Sequence, residues 1–255
     1  MTPDGQYAYV ANFNSDTVSV ISTETNTVLT VISVGVNSID IAITPNGRYA
    51  YVTNFRGNTV SVIDILSNAV VNTISVGGLP RGIAVTTNGS FIYVVNSNSN
   101  RISVIDANTN IVIKTIPVGA KPIDIAMTPD GGYAYVTNYT GQTISVIDIA
   151  TNVVSITISI TFKPYAIIIP SNGTEAYVTG YNTNTVAVIS TLTHTVTSSI
   201  TVGTSPIGIA ASLGGTTLYV ANEGSDTVSV IDQNMHSVIA TFITGNQPYG
   251  IALLS

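Results

Sequence analysis

The stretch Tyr51-Val52-Thr53-Asn54 decides the fold, because close copies of it recur along the whole chain. The tyrosines that begin these copies are spaced by 42 residues without a slip, at Tyr9, Tyr51, Tyr93, Tyr135, Tyr177 and Tyr219. Six repeats of this length fill all but three of the 255 residues. A repeat of this period is typical of the blades of a β-propeller or of a helical solenoid.

One repeat, residues 39–80, indicates which of the two architectures applies. Turn residues such as Pro45-Asn46-Gly47 separate four short segments rich in Val, Ile, Thr and Tyr, at 39–44, 49–53, 59–64 and 70–76. Segments of this length and composition are typical of β-strands, and the turn signals exclude a helical solenoid. We therefore predict an all-β, six-bladed propeller with four antiparallel strands per blade, as one domain over residues 1–255.

The two ends of the chain look like parts of one repeat. The sequence begins at 2–5 with the turn that follows a first strand, and it ends at 251–253 with a first strand that has no second strand after it. We expect residues 251–253 to pair beside residues 7–10, so that one C-terminal and three N-terminal strands complete the terminal blade. Such closure removes two exposed strand edges, which would otherwise invite aggregation.

The amino-acid composition and net charge of the chain limit the kinds of partner that it is expected to bind. Charged residues make up 8% of the chain and the formal net charge is −6, which disfavours a nucleic-acid partner. Cysteine is absent, so neither a disulfide framework nor thiolate chemistry is expected, and no apolar run approaches the length of a membrane span. The N-terminus enters the repeat without an apolar signal region, so a cytoplasmic location stays open. We expect a monomer.

Two further motifs accompany the tyrosine motif. One is Val62-Ile63-Asp64, whose aspartate has equivalents at Asp106, Asp148 and Asp232, and the other runs from Val118-Gly119 to Pro129-Asp130-Gly131. With Tyr-Val-Thr-Asn, they resemble the YVTN family of β-propeller repeat proteins over essentially the whole chain. Surface-layer and secreted members of that family imply an extracellular or cell-surface role in binding or scaffolding. The family is similar to propeller lactonases and lyases, so the resemblance leaves an enzymatic function possible. Its members more often have seven blades, whereas this chain has six repeats.

Most of the repeated polar residues have a structural interpretation. Each motif tyrosine can fill space between blades and form a hydrogen bond at its tip. The aspartates that end the third strand, such as Asp64, are expected to accept backbone N–H bonds in the turn that follows. His194 and His236 occupy a turn position at which the other repeats have asparagine, and turn geometry explains all six residues. A metal would need a third ligand, so the sequence predicts no metal site.

The candidate site lies where the repeat varies, in loops expected at the mouth of the central channel. Aromatic residues and one cation at these positions form the predicted ligand-binding set: Phe13, Phe55, Arg81, Tyr139, Tyr165, Tyr181 and Tyr249. Aromatic walls with a few convergent polar groups suit a sugar, a peptide or an aromatic ligand. The alternative is that these large side chains plug a narrow channel.

Two acidic residues stand near the predicted axis, where other repeats have Gly or Ala. Asp40 and Asp124 lie two blades apart, with Arg81 on the blade between them. We expect Arg81 to bridge both carboxylates, because unpaired charges there are unfavourable. A calcium ion bound by Asp40 and Asp124 or a catalytic acid–base pair is the alternative. No other cofactor is expected.

The sequence therefore predicts a non-catalytic propeller that binds a protein or a glycan on the face that carries these loops. The alternative is a small-molecule hydrolase or lyase, similar to the lactonases. Such an enzyme would act at the channel mouth through Asp40, Arg81, Asp124 and Glu223.

Overall fold

The structure is a computed structural model that describes residues 1–212 and 214–252. Over these residues the chain is built from strands and turns, without a helix. The strands form six antiparallel sheets in chain order, five with four strands and the first with three. These sheets are the blades of a six-bladed β-propeller, so the predicted fold class is confirmed. Across these ranges no helix is long and apolar enough to cross a membrane.

The strands of the six sheets follow the repeat. The first sheet contains β1 (Tyr7–Asn12), β2 (Thr17–Ser22) and β3 (Thr27–Ser33). The second contains β4 (Ser38–Ile43), β5 (Tyr49–Asn54), β6 (Thr59–Asp64) and β7 (Ala69–Ser75). The third contains β8 (Pro80–Val85), β9 (Phe91–Asn96), β10 (Arg101–Asp106) and β11 (Ile111–Pro117). The fourth contains β12 (Pro122–Met127), β13 (Tyr133–Asn138), β14 (Thr143–Asp148) and β15 (Val153–Ser159). The fifth contains β16 (Pro164–Ile168), β17 (Glu175–Gly180), β18 (Thr185–Ser190) and β19 (Thr195–Thr201). The sixth contains β20 (Pro206–Ala211), β21 (Thr217–Asn222), β22 (Thr227–Asp232) and β23 (Ser237–Ile243).

Turn residues end the strands as their chemistry predicts. Gly47 has a φ of 68° in the turn between the first two strands of its sheet, where a side chain would be disfavoured. Asn68 has a φ of 51° in the turn between the third and fourth strands. Asparagine tolerates this left-handed conformation better than most residues do. The predicted and observed strand bounds of this repeat differ by one residue at most.

The predicted closure of the terminal blade falls at the edge of the described residues. Ile251 and Ala252 lie outside the strands, and Leu253 lies outside the described residues. The first sheet therefore has three strands within the described part of the chain, and its completion by residues 251–253 stays a prediction. Just before this segment, the backbone of Tyr249 lies against Gly208 of β20, so closely that an added Cβ at Gly208 would collide with the Tyr249 carbonyl.

The core lies between neighbouring sheets. The chain divides into two compact units, Met1–Ile123 and Asp124–Ser255, and each has cores of this kind. In the first unit, one core joins Tyr9 of the first sheet to Val52 of the second, and another joins Tyr51 of the second to residues of the third. In the second unit, equivalent cores join the fourth to the fifth sheet and the fifth to the sixth. Within each unit, neighbouring blades thus bury apolar faces against each other.

The motif tyrosines add a hydrogen bond to this packing. The Tyr9 hydroxyl donates to Asn68 Oδ1 at 2.7 Å, and the Tyr51 hydroxyl donates to Asn110 Oδ1 at 2.9 Å. In the second unit, the Tyr135 hydroxyl bonds to His194 Nδ1 at 2.6 Å. Each of these bonds links the second strand of one blade to the turn between the third and fourth strands of the next blade. The predicted bond at the tyrosine tip is therefore present, and its acceptor is the turn residue of the following repeat.

Leu79 offers a test of backbone strain in the loop that leads into β8. It has a φ of 53°, which is unfavourable for a bulky side chain, while the equivalent residue of the preceding repeat is Asn37, with a φ of 56°. We expect Leu79→Asn to raise the free energy of unfolding by about 1 kcal/mol, because asparagine relieves part of this strain. Urea denaturation measures the change. Leu66→Asn, at a highly exposed leucine without positive φ, serves as the control, and a destabilised Leu79→Asn variant would contradict the expectation.

Candidate ligand-binding site

The repeated aspartates and asparagines form hydrogen bonds that stabilise turns and strand pairs. The Asp64 carboxylate accepts the Ser67 backbone N–H at 2.9 Å, and the equivalent aspartates accept backbone N–H groups in their own turns, at Asp106, Asp148 and Asp232. The motif amide of Asn54 is buried, and its Nδ2 donates to the hydroxyls of Thr59 and Ser61 at 2.9 Å each. The predicted role of the aspartates is confirmed. The motif asparagine ties its strand to the neighbouring third strand through side chains.

Four of the predicted site residues come together in the second unit, around the ring of Tyr165. The centroid of this ring lies 6.2 Å from that of Tyr139, 6.0 Å from that of Tyr181 and 6.3 Å from that of Tyr249. The Tyr165–Tyr139 and Tyr165–Tyr249 pairs are close to edge-to-face, an arrangement that aromatic rings prefer. We call these four residues the tyrosine cluster.

The tyrosine cluster is assembled from loops and the start of one strand. Tyr139 and Tyr181 directly follow β13 and β17, Tyr165 is the second residue of β16, and Tyr249 lies in the segment after β23. The hydroxyls of Tyr165 and Tyr249 are hydrogen-bonded to each other. Tyr249 is half exposed, and the other three rings are partly exposed. The cluster therefore presents aromatic surface and phenol groups to solvent.

Charged groups border the tyrosine cluster. The Lys163 ammonium lies 5.5 Å from the centroid of the Tyr139 ring, within the range of a cation–π contact. The negative charge of the nearby Glu223 carboxylate raises the pKa of Tyr181 above its usual value. The sequence interpretation did not include Lys163. Its position immediately before Pro164, in the loop between the last and first strands, is the signal that could have found it.

Three other predicted residues come together in the first unit. The ring centroids of Phe13 and Phe55 are 6.1 Å apart, and the Arg81 guanidinium carbon lies 5.6 Å from the centroid of Phe55. Phe13 is exposed and Phe55 is partly exposed. Arg81 thus covers an aromatic side chain, where its stacking is favourable.

Asp40 and Asp124 bind backbone amides. Asp40 Oδ1 accepts the N–H of Ile41 at 2.8 Å, and its Oδ2 accepts the N–H of Ile83 in the next blade at 3.1 Å. Asp124 repeats the pattern, with Ile125 at 2.8 Å and Ile167 at 2.9 Å. Each carboxylate therefore links the first strands of two successive blades. The predicted bridge by Arg81, the calcium ion and the acid–base pair stay predictions.

Motif threonines support the same linkage between first strands. Thr53 Oγ1 donates to the Arg81 carbonyl at 2.7 Å, and Thr137 Oγ1 donates to the Tyr165 carbonyl at 2.8 Å. The backbone of Arg81 and Tyr165 is therefore fixed by the preceding blade, while their side chains project from the start of β8 and β16. A rigid element that carries a variable side chain is a suitable base for a binding site.

Comparison with known proteins agrees with the fold. A family model described as "Lactonase, 7-bladed beta-propeller" matches residues 1–111. Among solved structures, hydrazine synthase of Kuenenia stuttgartiensis is similar with a TM-score of 0.91 and 23% identity, covering 98% of this chain and 87% of that one. A functionally unknown protein from Desulfotomaculum acetoxidans DSM 771 has a TM-score of 0.84 and 21% identity, covering 98% and 86%. No curated protein matches the chain. At these identities the structural likeness shows that the chain has a β-propeller fold.

Proposed function

We propose that the protein is a non-catalytic binding module whose tyrosine cluster recognises a glycan or a peptide. The observation that carries the proposal is the packing of three tyrosines around Tyr165, with centroids 6.0 to 6.3 Å away and with Lys163 at the border. Tyrosines give large contact area at a small cost in conformational entropy, and their hydroxyls add directional hydrogen bonds. Such a surface suits a ligand that has both apolar faces and hydroxyl or amide groups.

The rest of the molecule supports binding through a rigid scaffold. The carbonyl of Tyr165 accepts a bond from Thr137, and the Tyr249 backbone packs on Gly208, so two members of the cluster are positioned by neighbouring blades. Preorganised side chains lose little freedom when a ligand binds. The resemblance to surface-layer and secreted propellers adds the proposal that this binding takes place outside the cell or at its surface.

A second candidate function is hydrolysis or lysis of a small molecule such as a lactone. The match of residues 1–111 to a lactonase family model supports it, and this part of the chain contains Asp40 and Arg81. Against it, both carboxylate oxygens of Asp40 already accept backbone N–H bonds, at 2.8 and 3.1 Å, so this carboxylate has a structural role between two first strands. We therefore rank binding first.

A binding screen with a matched pair of variants tests the first proposal. Wild-type protein and Tyr165→Ala/Tyr249→Ala are applied to glycan and peptide arrays, and both are assayed on a panel of lactones. Truncating two central aromatic anchors is expected to weaken binding by more than about 30-fold, because anchors of this kind contribute 2 kcal/mol or more. Tyr165→Phe/Tyr249→Phe keeps both rings and is expected to retain most of the affinity.

The outcomes separate the candidates. Array binding that survives in the folded alanine variant would contradict the tyrosine cluster as the site. Lactone hydrolysis by the wild type that is lost in Asp40→Asn and kept in Tyr165→Ala/Tyr249→Ala would favour the enzyme instead.

A further inference from the structure

Three departures from the repeat meet at the interface of the fifth and sixth blades, both in the second unit. Glu175 stands where four other repeats have tyrosine or phenylalanine, and His236 stands where four have asparagine. Gln233 occupies a position that is Ile65, Ala107 or Ile149 in three other repeats. This interface thus carries an acid, an imidazole and an amide at positions where most other repeats have different residues.

The acid and the imidazole are in direct contact with a motif tyrosine. His236 Nε2 lies 3.0 Å from Glu175 Oε2, and the Tyr177 hydroxyl donates to the same oxygen at 2.5 Å. The Tyr177 hydroxyl also lies 3.5 Å from His236 Nε2. The side chains of His236 and Glu175 are 31% and 25% exposed, so solvent and dissolved ions can reach them.

Gln233 supplies an independent observation. It is 5% exposed, and both polar atoms of its side chain are buried without a hydrogen-bond partner among the described residues. In the third blade, the equivalent Ala107 packs in the core that contains Tyr51, and its carbonyl lies 3.4 Å from the Tyr51 hydroxyl. The repeat therefore places Gln233 beside Tyr177. Buried amides are nearly always satisfied, so the Gln233 amide has hydrogen-bonding capacity left for a bound group.

We propose that Glu175 and His236 bind a divalent transition-metal ion of the zinc class at this interface. Imidazole nitrogen and carboxylate oxygen are both common ligands of Zn²⁺, and the two donor atoms are already adjacent. Waters would complete the coordination, and one of them would give the Gln233 amide its partner. The tyrosine cluster is not involved, so this site is independent of the proposed binding function.

The groups around the two ligands match the usual surroundings of a metal site. A metal-binding histidine commonly donates its second ring N–H to a neighbour, and Ser198 Oγ lies 3.5 Å from His236 Nδ1. A metal-binding carboxylate is commonly hydrogen-bonded in turn, as Glu175 is by Tyr177. The Tyr177 hydroxyl is the donor in this bond, because an ionised carboxylate oxygen can only accept.

The neighbouring blade provides a matched control. His194 occupies the same turn position one repeat earlier, and its Nδ1 lies 2.6 Å from the Tyr135 hydroxyl. The residue equivalent to Glu175 is here Tyr133, whose ring packs edge-on against His194. A histidine without the carboxylate is not expected to bind a metal ion with measurable affinity. His236→Asn and His194→Asn each restore the asparagine that four repeats carry at a left-handed turn position, so both variants are expected to fold.

Titration calorimetry with ZnCl₂ near neutral pH tests the proposal on the full chain. We expect saturable 1:1 binding by the wild type and by His194→Asn, and binding weaker by more than about tenfold in His236→Asn and in Glu175→Gln. Zn²⁺ is also expected to raise the melting temperatures of the wild type and of His194→Asn, but not those of His236→Asn and Glu175→Gln. Mg²⁺ is expected to change none of these melting temperatures. Absence of saturable binding by the wild type, or equal binding by folded His236→Asn, would overturn the proposal.

Discussion

Replacing Tyr51 with alanine is expected to lower the free energy of unfolding by about 4 kcal/mol. The side chain is fully buried between the second and third blades, where it shares a core with Val94 and Ile105. Its removal leaves a cavity the size of an aromatic ring. It also leaves Asn110 Oδ1 without the hydroxyl that donates to it at 2.9 Å. Both losses fall on one interface between blades.

A conservative variant separates these two contributions. Tyr51→Phe keeps the ring and removes only the hydroxyl, so it is expected to cost about 1 kcal/mol, the usual net value of one hydrogen bond. Urea denaturation of the wild type and both variants measures the differences. If Tyr51→Ala were as stable as Tyr51→Phe, the packing between blades would not depend on the motif tyrosines, and the structural role assigned to the repeat would be wrong.

Stability is expected to fall steeply in alkali, because the motif tyrosines resist ionisation in the folded protein. Burial raises the pKa of Tyr9 and of Tyr51 to about 12, and it raises the pKa of Tyr135 and Tyr177 in the same direction. In the unfolded chain each titrates near its ordinary value of about 10. The folded state thus keeps protons that the unfolded state loses. This stabilisation is fully present below about pH 10 and is lost as the pH rises towards the folded-state pKa values.

The expected loss of stability in alkali scales with the number of buried motif tyrosines. Counted conservatively at about 1 kcal/mol for each tyrosine, which is less than the full pKa shifts would give, the four together correspond to about 4 kcal/mol. Unfolding followed by circular dichroism should coincide with the rise of tyrosinate absorbance. Tyr51→Phe should show a smaller loss of stability between neutral and alkaline pH than the wild type, although it is less stable at neutral pH. A gradual rise of absorbance without unfolding would contradict the expectation.

The sequence predicted the architecture because the repeat determines it locally. Strands such as 59–64 were predicted with the bounds that they have, since β-branched alternation and turn residues are local signals. The role of the tyrosine tip was also predicted. Its acceptor was not, because Tyr9 and Asn68 are 59 residues apart and only the packing of two blades brings them together.

The candidate site was predicted less completely. Variable loop positions selected Tyr165 and the three tyrosines that pack around it, since equivalent positions of a repeat come close in neighbouring blades. The partners found for Asp40 and Asp124 are backbone N–H groups of the next repeat, which no side-chain pattern encodes. Glu175, Gln233 and His236 each carried a signal as a departure from the repeat. No local pattern connects them, because Glu175 and His236 are 61 residues apart and only the packing of two blades brings them together.

The most direct measurement on the proposed site is fluorine NMR of protein in which 3-fluorotyrosine replaces the 13 tyrosines, with the strongest ligand from the arrays added stepwise. Single Tyr→Phe variants assign the resonances. We expect those of the tyrosine cluster, Tyr139, Tyr165, Tyr181 and Tyr249, to shift with a common saturation curve, while those of the buried Tyr51 and Tyr177 stay in place. Shifts confined to tyrosines outside the cluster would contradict a binding site at Tyr165.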